Sequence, residues 1–169
     1  MFVLGIDPGL TRCGFGLVEG GLDGPEAFRA VRAGVIRTPA QDPVEERLAD
    51  VARSVRELLD DLRPDVVVVE RVFFQRNART AIPVAQASGV AIALAVESGR
   101  PVRQFTAQEV KLAVTGYGAA TKVQVQEMVA RLCGLGEVPR PPDAADALAL
   151  AITWLTTTRT EQRLAGATA

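Results

Sequence analysis

The apolar residues of the chain alternate between short runs and longer stretches with a helical period. Three short runs near the N-terminus, separated by turns rich in glycine or proline, predict strands that form an antiparallel meander; they span residues 2–6, 14–19 and 27–37. A helical period of apolar residues follows Pro43 and predicts a helix that ends near Leu62. Four valines at 66–69 are apolar on both faces, which is typical of a strand covered by helices on both sides.

The second half of the chain has helical patterns around one further strand. The predicted elements are helices over about 78–98, 106–115, 120–133 and 143–157, and a short strand over 101–104. Thr106 followed by Glu109 is a capping-box pattern that marks the start of one helix. We therefore expect an α/β fold with a mixed five-stranded sheet, in which three antiparallel strands adjoin parallel strands and helices flank the sheet. Residues 1–157 are expected to form a single domain, and the small, polar residues 158–169 a frayed C-terminal tail.

The composition is that of a globular domain, and it excludes several kinds of chemistry. The 169 residues are 48% hydrophobic and 23% charged. The chain contains no histidine, which excludes a histidine general base, a Ser-His-Asp triad and an HExxH zinc site. Two cysteines, Cys13 and Cys133, are too few for a disulfide framework and are expected to be buried in a reducing compartment. We see no signal-peptide pattern, and the longest apolar run, 90–96, is shorter than the roughly 20 residues of a membrane span, so we expect a cytoplasmic protein.

The charged residues are unevenly distributed along the chain. Between Arg71 and Lys122 there are seven basic and two acidic residues, a net charge of +5, so the rest of the chain is net −6. Such a stretch could form a basic face that contacts phosphates on an otherwise acidic body. A solvated helix face explains the same charges about equally well.

Two predicted strands end in a carboxylate, and a later helix begins with two more. Asp7 follows the first apolar run, and Glu70 follows the four valines. If the crossover helix makes these strands parallel neighbours, both acids lie at the carboxyl edge of the sheet, where α/β folds bind ligands. Asp143 and Asp146 are three residues apart and share one face of a first helical turn. Each acid alone has a structural explanation, as a loop start or a helix cap, but the set predicts a site.

Four carboxylates at one edge of a sheet would repel one another strongly unless a cation lay between them. Oxygen ligands without histidine suit Mg²⁺ or Mn²⁺ rather than Zn²⁺. Two such ions about 4 Å apart serve in-line phosphodiester displacement, in which one activates water and the other stabilises the leaving oxygen. The acids therefore predict metal-dependent phosphoryl chemistry.

Basic and aromatic residues surround this predicted site in the sequence. Phe73 and Phe74 directly follow the Glu70 segment, and Arg76 and Arg79 come next. An aromatic side chain flanked by arginines could stack on an unpaired base. The alternative, that the phenylalanines fill the gap between strand and helix, is about as good for Phe74.

Two lysines are further candidates for contact with a phosphate. They are Lys111 within a helix and Lys122 at the start of another. An ammonium group is a compact charge that suits a phosphate or the surroundings of an attacking water. A solvated lysine is the simpler interpretation of each residue alone.

Four segments, in this order, resemble the RuvC family of Holliday-junction resolvases. They are Gly5-Ile6-Asp7-Pro8-Gly9 with Gly14-Phe15-Gly16, Val69-Glu70-Arg71-Val72-Phe73, the stretch 116–125 that contains Lys122, and Asp143-Ala144-Ala145-Asp146-Ala147-Leu148-Ala149. The resemblance spans roughly residues 2–155. It implies a ribonuclease-H-like fold and a homodimer that resolves four-way DNA junctions in recombination and repair by paired symmetric nicks near the crossover. It also implies a branch-migration motor as a partner.

The resemblance also implies roles for individual residues. Asp7, Glu70, Asp143 and Asp146 would hold the metal, two Mg²⁺ ions for which Mn²⁺ can substitute, and would be catalytic together with Lys122. Contacts with DNA would come from Phe73 as a wedge at the crossover and from the basic residues Arg76, Arg79, Lys111 and Lys122. This chain departs from the pattern of many members at two positions: Asp143 stands where some members have histidine, and Ser88 stands where many have arginine.

Three other functions stay open at this point. A different ribonuclease-H-like nuclease would act on RNA or on RNA–DNA hybrids. A non-catalytic junction-binding module would bind DNA without cutting it. An actin-like or sugar-kinase ATPase shares the Gly-x-Asp-x-Gly hairpin, but such folds need two lobes and about twice this length, whereas one copy is present.

Overall fold

The structure is a computed structural model that describes residues 1–22, 28–72 and 78–167. Its centre is a five-stranded sheet in the order β3-β2-β1-β4-β5. The strands are β1 (Phe2–Asp7), β2 (Arg12–Glu19), β3 (Arg29–Arg37), β4 (Val66–Glu70) and β5 (Val102–Phe105). β1, β2 and β3 pair in antiparallel fashion, and β4 is parallel to both β1 and β5. The predicted meander and the mixed sheet are confirmed.

Among the described residues, five helices cover the two sides of the sheet. They are α1 (Val44–Leu62), α2 (Ala78–Glu97), α3 (Ala107–Thr115), α4 (Lys122–Leu132) and α5 (Pro142–Ala167). Buried residues of α3, α4 and α5 form one hydrophobic cluster with one face of the sheet, and those of α1 and α2 form a second cluster with the other face. The valines of β4 divide accordingly: Val66 and Val68 belong to the α5 side, Val67 and Val69 to the α1 side. This is why a run without polar alternation forms a central strand.

The same alternation determines on which side the strand acids lie. Val68 lies on the α5 side, and Glu70 is two residues further along β4. In β1, Gly5 lies under α5 and Asp7 is two residues further along. Because side chains two residues apart in a strand share a face, both acids are on the α5 side. Ile6 pairs with Val69 in the parallel ladder, so the next residues, Asp7 and Glu70, are neighbours at the carboxyl edge.

Helix α5 lies directly on the main chain of β1 and β2. A Cβ atom on Gly5 would overlap the carbonyl oxygen of Ala147, and one on Gly14 would overlap the carbonyl oxygen of Asp143. A Cβ on Gly16 would lie 2.8 Å from the amide nitrogen of Leu148. Glycine at these positions therefore allows the helix that carries two of the acids to approach the sheet backbone.

Helices α3 and α4 each begin with a capping box. The Thr106 hydroxyl accepts a hydrogen bond from the Glu109 amide (3.1 Å), and the Glu109 carboxylate accepts one from the Thr106 amide (2.7 Å). Thr121 and Gln124 form the same arrangement at the start of α4. The capping box predicted at Thr106 is confirmed, and the second one fixes the first turn that carries Lys122.

The C-terminal helix is longer than the pattern predicts. The expected end near residue 157 and the frayed tail from 158 are wrong for residues 158–167, which continue α5. Two contacts anchor this extension: Arg159 Nε donates to the carbonyl oxygen of Gly21 (2.7 Å), and the Arg159 guanidinium lies 4.5 Å from the centre of the Phe28 ring. A cation over an aromatic ring is attractive, so the extension is tied to the start of β3. Across the described ranges, no helix combines the length and apolarity needed to cross a membrane.

Candidate active site

Three acids and two lysines line one cleft of about 290 Å³ at the carboxyl edge of the parallel strands. The acids are Asp7 from β1, Glu70 from β4 and Asp146 from α5, and the lysines are Lys111 from α3 and Lys122 from α4. Apolar residues complete the walls; they are Ala107, Val110, Val125, Ala149 and Leu150. Four elements from distant parts of the sequence therefore converge with the end of β1 at one point.

Asp7 is the most perturbed carboxyl group of the cleft. Burial raises its pKa to about 8, and the charge and hydrogen bond of Glu70 and the charge of Asp146 act in the same direction, whereas the Lys122 ammonium opposes them. Desolvation and like charges both disfavour a carboxylate. The raised pKa of Asp7 therefore marks a buried carboxyl group crowded by other acids at the end of β1.

Two residues of α4 hold the Asp146 carboxylate. Lys122 Nζ lies 2.5 Å from Asp146 Oδ2, and Gln126 Nε2 donates to Asp146 Oδ1 across 3.4 Å. Residues four apart on a helix share a face, so the first turn of α4 offers both donors to one acid. Partial burial lowers the pKa of Lys122, but the hydrogen bond and charge of Asp146, with the charges of Asp7 and Asp143, outweigh it and raise that pKa above its usual value.

Asp143 is held apart from the other three acids. It does not line the cleft, and its Oδ2 accepts hydrogen bonds from Arg12 Nε (3.1 Å) and Arg12 Nη2 (2.5 Å). The structure thus brings Asp7, Glu70 and Asp146 together and places Asp143 beside them, paired with a cation.

The other predicted contact residues divide into two groups. Lys111 lines the cleft as expected of a phosphate contact. Phe73 and Arg76 lie outside the described residues. Arg79 belongs to the first turn of α2, and its side chain is outside the described part of the chain.

The donor set fits a hard divalent cation. Within 1–22, 28–72 and 78–167, no three acidic, cysteine or histidine side chains converge closely enough to form a metal-binding group. Two of the four acids are in ion pairs: Lys122 contacts one oxygen of Asp146, and Arg12 contacts one oxygen of Asp143. The acidic ligands offer carboxylate oxygens, and burial together with the neighbouring charges of Glu70 and Asp146 raises the pKa of Asp7, which a bound cation would oppose.

Sequence reasoning missed two residues that contact the acids. Gln126 stands one helical turn after Lys122, and that spacing is a signal that could have indicated it. Arg12 is separated from Asp143 by 131 positions, and nothing in a single sequence pairs them.

Solved structures first define the class of fold. The chain superposes on a structure described as "T. thermophilus RuvC in complex with Holliday junction substrate" with a TM-score of 0.87 and 39% identity, covering 95% of this chain and 96% of that one. It also superposes on the yeast mitochondrial Holliday junction resolvase Ydc2 with a TM-score of 0.64 and 16% identity, covering 95% of this chain and 82% of that one, which supports the fold alone. These are ribonuclease-H-like folds, so the predicted fold class is confirmed.

The family follows from the sequence comparisons. The family model "Crossover junction endodeoxyribonuclease RuvC" matches residues 3–154. A relative of that name from Frankia alni is 59% identical over 152 residues, which cover 90% of this chain and 76% of the relative. The chain belongs to the RuvC family of crossover junction endodeoxyribonucleases, and the family indicated by the four motifs is confirmed.

Proposed function

We propose that this chain is a metal-dependent endonuclease that resolves four-way DNA junctions in recombination and repair. The observation that carries the proposal is the cleft in which Asp7, Glu70 and Asp146 meet Lys111 and Lys122 in a member of the RuvC family. Carboxylates that bind a divalent cation, next to ammonium groups that attract a phosphate, are the parts needed for phosphodiester hydrolysis. A solved relative at 39% identity is described as bound to a Holliday junction substrate, which favours that substrate.

The acids of the cleft would hold two Mg²⁺ ions, with Mn²⁺ as a substitute. Asp7, Glu70 and Asp146 are the principal ligands, and Asp143 is the fourth. The ions would supply an activated water and stabilise the leaving oxygen of the scissile phosphodiester. The residues of the chain would hold the ligand oxygens in place, and the burial of Asp7, which shields its carboxyl group from bulk water, supports this role.

The lysines of the cleft would bind and orient the DNA backbone. Lys111 and Lys122 approach the acids from two different helices, so their charges can hold one phosphate from two sides. Phe73, Arg76 and Arg79 remain proposed DNA contacts, with Phe73 at the crossover.

Symmetric cleavage of a four-way junction needs two active sites, and helix α2 offers a surface for a homodimer. Exposed residues recur along α2 at alternating spacings of four and three; this series is Ile82, Gln86, Gly89, Ala93 and Val96. This spacing places them in one stripe along the helix, and the stripe is mostly small or apolar. We therefore place the contact between two copies on this stripe, which would set two clefts on one junction for paired nicks.

The remaining elements of the proposal concern the cell. A junction substrate implies an enzyme that acts where chromosomal DNA lies, so we propose a cytoplasmic protein. A branch-migration motor that moves the junction is the proposed protein partner.

The central test is cleavage of a synthetic four-way junction compared with linear duplex and RNA–DNA hybrid, each with Mg²⁺, Mn²⁺ or EDTA. We expect paired nicks near the crossover that require metal and can be sealed by ligase. Asp146→Asn should abolish them, whereas Asp60→Asn, at an exposed position of α1, should not. Cleavage of the hybrid alone would overturn the substrate, and tight junction binding without nicks would indicate a binding module.

The dimer is tested separately by light scattering coupled to gel filtration. Ala93→Glu places a charge in the centre of the α2 stripe and is expected to convert a dimer into a monomer that binds the junction but does not make paired nicks. Ala40→Glu, at an exposed position between β3 and α1, is the matched control and should stay dimeric. A wild-type chain that is monomeric at all concentrations would contradict the proposed dimer.

A further inference from the structure

The first residues of β2 contact both the main chain and the side chain of Asp143. Arg12 and Gly14 are two residues apart on the strand, so they share one face, the face on which α5 lies. Gly14 allows the main chain of Asp143 to rest directly on the strand. Arg12 then reaches the carboxylate with two nitrogens, Nε at 3.1 Å and Nη2 at 2.5 Å, both on the single oxygen Oδ2.

A buried arginine of α1, Arg47, contacts the residues that precede Arg12. Arg47 is 8% exposed, and it donates to the hydroxyls of Thr11 (Nη2, 2.6 Å) and Thr38 (Nε, 2.9 Å). The Thr38 hydroxyl in turn donates to the carbonyl oxygen of Leu10 (2.6 Å). Hydrogen bonds to a charged group are among the stronger ones, so the turn that leads into Arg12 is held in one place.

The two acids of α5 are held in different ways. Asp146 has a partner on each oxygen, Lys122 on Oδ2 and Gln126 on Oδ1. Asp143 has its partner on Oδ2 only, and in the described part of the chain its Oδ1 accepts no hydrogen bond. A guanidinium that binds one carboxylate oxygen through two nitrogens fixes the orientation of the group and leaves the second oxygen available.

We propose that Arg12 is a positioning residue for the reaction. It holds Asp143 by one oxygen and presents the second oxygen for the chemistry of the cleft. The inference rests on the proposed function, because it assigns Asp143 a part in the cleavage. It assigns Arg12 no contact with DNA, although its side chain is 42% exposed.

The test is a double-mutant cycle of Arg12→Ala and Asp143→Asn, read by single-turnover cleavage of the junction. We expect Arg12→Ala to lower the cleavage rate by about 10–100-fold, the usual effect of removing a partner of a ligand. Junction affinity in EDTA should change by less than about twofold, and in the Asp143→Asn background Arg12→Ala should have almost no further effect. Arg12→Lys, which keeps one charged donor, should restore part of the rate.

A second readout does not depend on cleavage. Titration of Mn²⁺ into the DNA-free protein should show about tenfold weaker binding for Arg12→Ala, because Asp143 is no longer held. Arg29→Ala is the matched control, because Arg29 of β3 pairs with Glu19, which lies at the opposite end of β2 from Arg12. This variant should behave as wild type in both assays.

Three results would overturn the positioning role. Equal losses of junction affinity from Arg12→Ala in both backgrounds would show that Arg12 contacts a phosphate. An unchanged cleavage rate would show a surface ion pair only. Tighter Mn²⁺ binding would show that Arg12 competes with the metal. A wild-type protein that cuts no junction would instead contradict the proposed function, and the Mn²⁺ titration would still test the role of Arg12.

Discussion

The two sides of the sheet are packed by different means. On the α5 side, main-chain atoms of the helix lie directly against the strands at Gly5, Gly14 and Gly16, next to a hydrophobic cluster of side chains. On the α1 side, side chains such as Leu4, Ile6, Val51, Val55 and Leu59 fill the space between sheet and helices. The acids of the cleft lie on the first side, and the proposed dimer surface of α2 lies on the second.

This difference determines how firmly the position of α5, which carries two of the acids, is fixed. A contact between main chains has no rotamers and little room for adjustment, so α5 has one position relative to β1 and β2. Side-chain packing tolerates exchange of similar volumes. The molecule therefore adds main-chain contact to side-chain packing on the side where distances between acids matter.

The largest effect is expected inside the cleft. Asp7→Asn should reduce junction cleavage by at least about 10²–10³-fold, since a central charged ligand is lost. In EDTA at pH 8 the same variant should be more heat-stable than wild type. The raised pKa of Asp7 means that its ionised carboxylate lowers the stability of the folded protein, and asparagine removes that charge. The measurements are single-turnover cleavage and thermal unfolding, with Asp60→Asn as control. A less stable Asp7→Asn protein would contradict the crowding of charge in the cleft.

The next effect is on the main-chain contact itself. Gly5→Ala should lower the free energy of unfolding by about 3 kcal/mol or more, because the added Cβ overlaps the backbone of Ala147. Urea unfolding followed by circular dichroism measures this change. A neutral Gly5→Ala variant would show that α5 can shift away from the sheet.

The same substitution on the other side of the molecule should have the opposite sign. Gly89 lies within α2 and is exposed, and a Cβ there would meet no atom within 4 Å. Gly89→Ala should raise the free energy of unfolding by about 0.5–1 kcal/mol through helix propensity. The measurement is made in the Ala93→Glu background, so that pairing of α2 with a second copy does not contribute. A loss of stability in that monomer would contradict the open surface at Gly89.

The smallest effect is expected at the capping box of α3. Backbone and side-chain hydrogen bonds with Thr106 lower the pKa of Glu109, so its contribution is present above the unfolded-state pKa and is lost as the pH falls through the lowered value. The equivalent residue of α4 is the neutral Gln124, whose box does not titrate. Glu109→Gln should therefore remove a pH-dependent contribution of less than about 1 kcal/mol, measured as the difference between urea unfolding curves at neutral and acidic pH. An unchanged pH dependence would show that the box does not contribute to stability.

Much of the fold could be predicted because local sequence patterns indicate its strands and helices. The four valines of β4 predicted a strand covered on both sides, and Thr106 with Glu109 predicted the start of α3. The end of α5 could not be predicted, because residues 158–163 are polar. The anchor of this segment, the contact of Arg159 with Phe28 and Gly21, depends on a distant part of the chain.

The site was predictable to the extent that it depends on strand ends. The placement of Asp7 and Glu70 could be predicted because each ends a strand and a crossover helix makes the two strands parallel neighbours. The placement of Asp146 could be predicted from its position in the first turns of a helix. The pairing of Asp143 with Arg12 could not be predicted, since it depends on how closely α5 approaches β2. That approach is visible only as glycine in the sequence, and glycine has many other uses.

The contact between α5 and the glycines of β1 and β2 also has a consequence for evolution. Exchanges of similar volume among the side chains on the α1 side alter no atom of the contact between α5 and the strands. We therefore expect that side of the core to vary more freely in evolution than the glycines under α5. The cost of that freedom is concentrated at Gly5, Gly14 and Gly16, where one added carbon atom would displace the helix that carries Asp143 and Asp146.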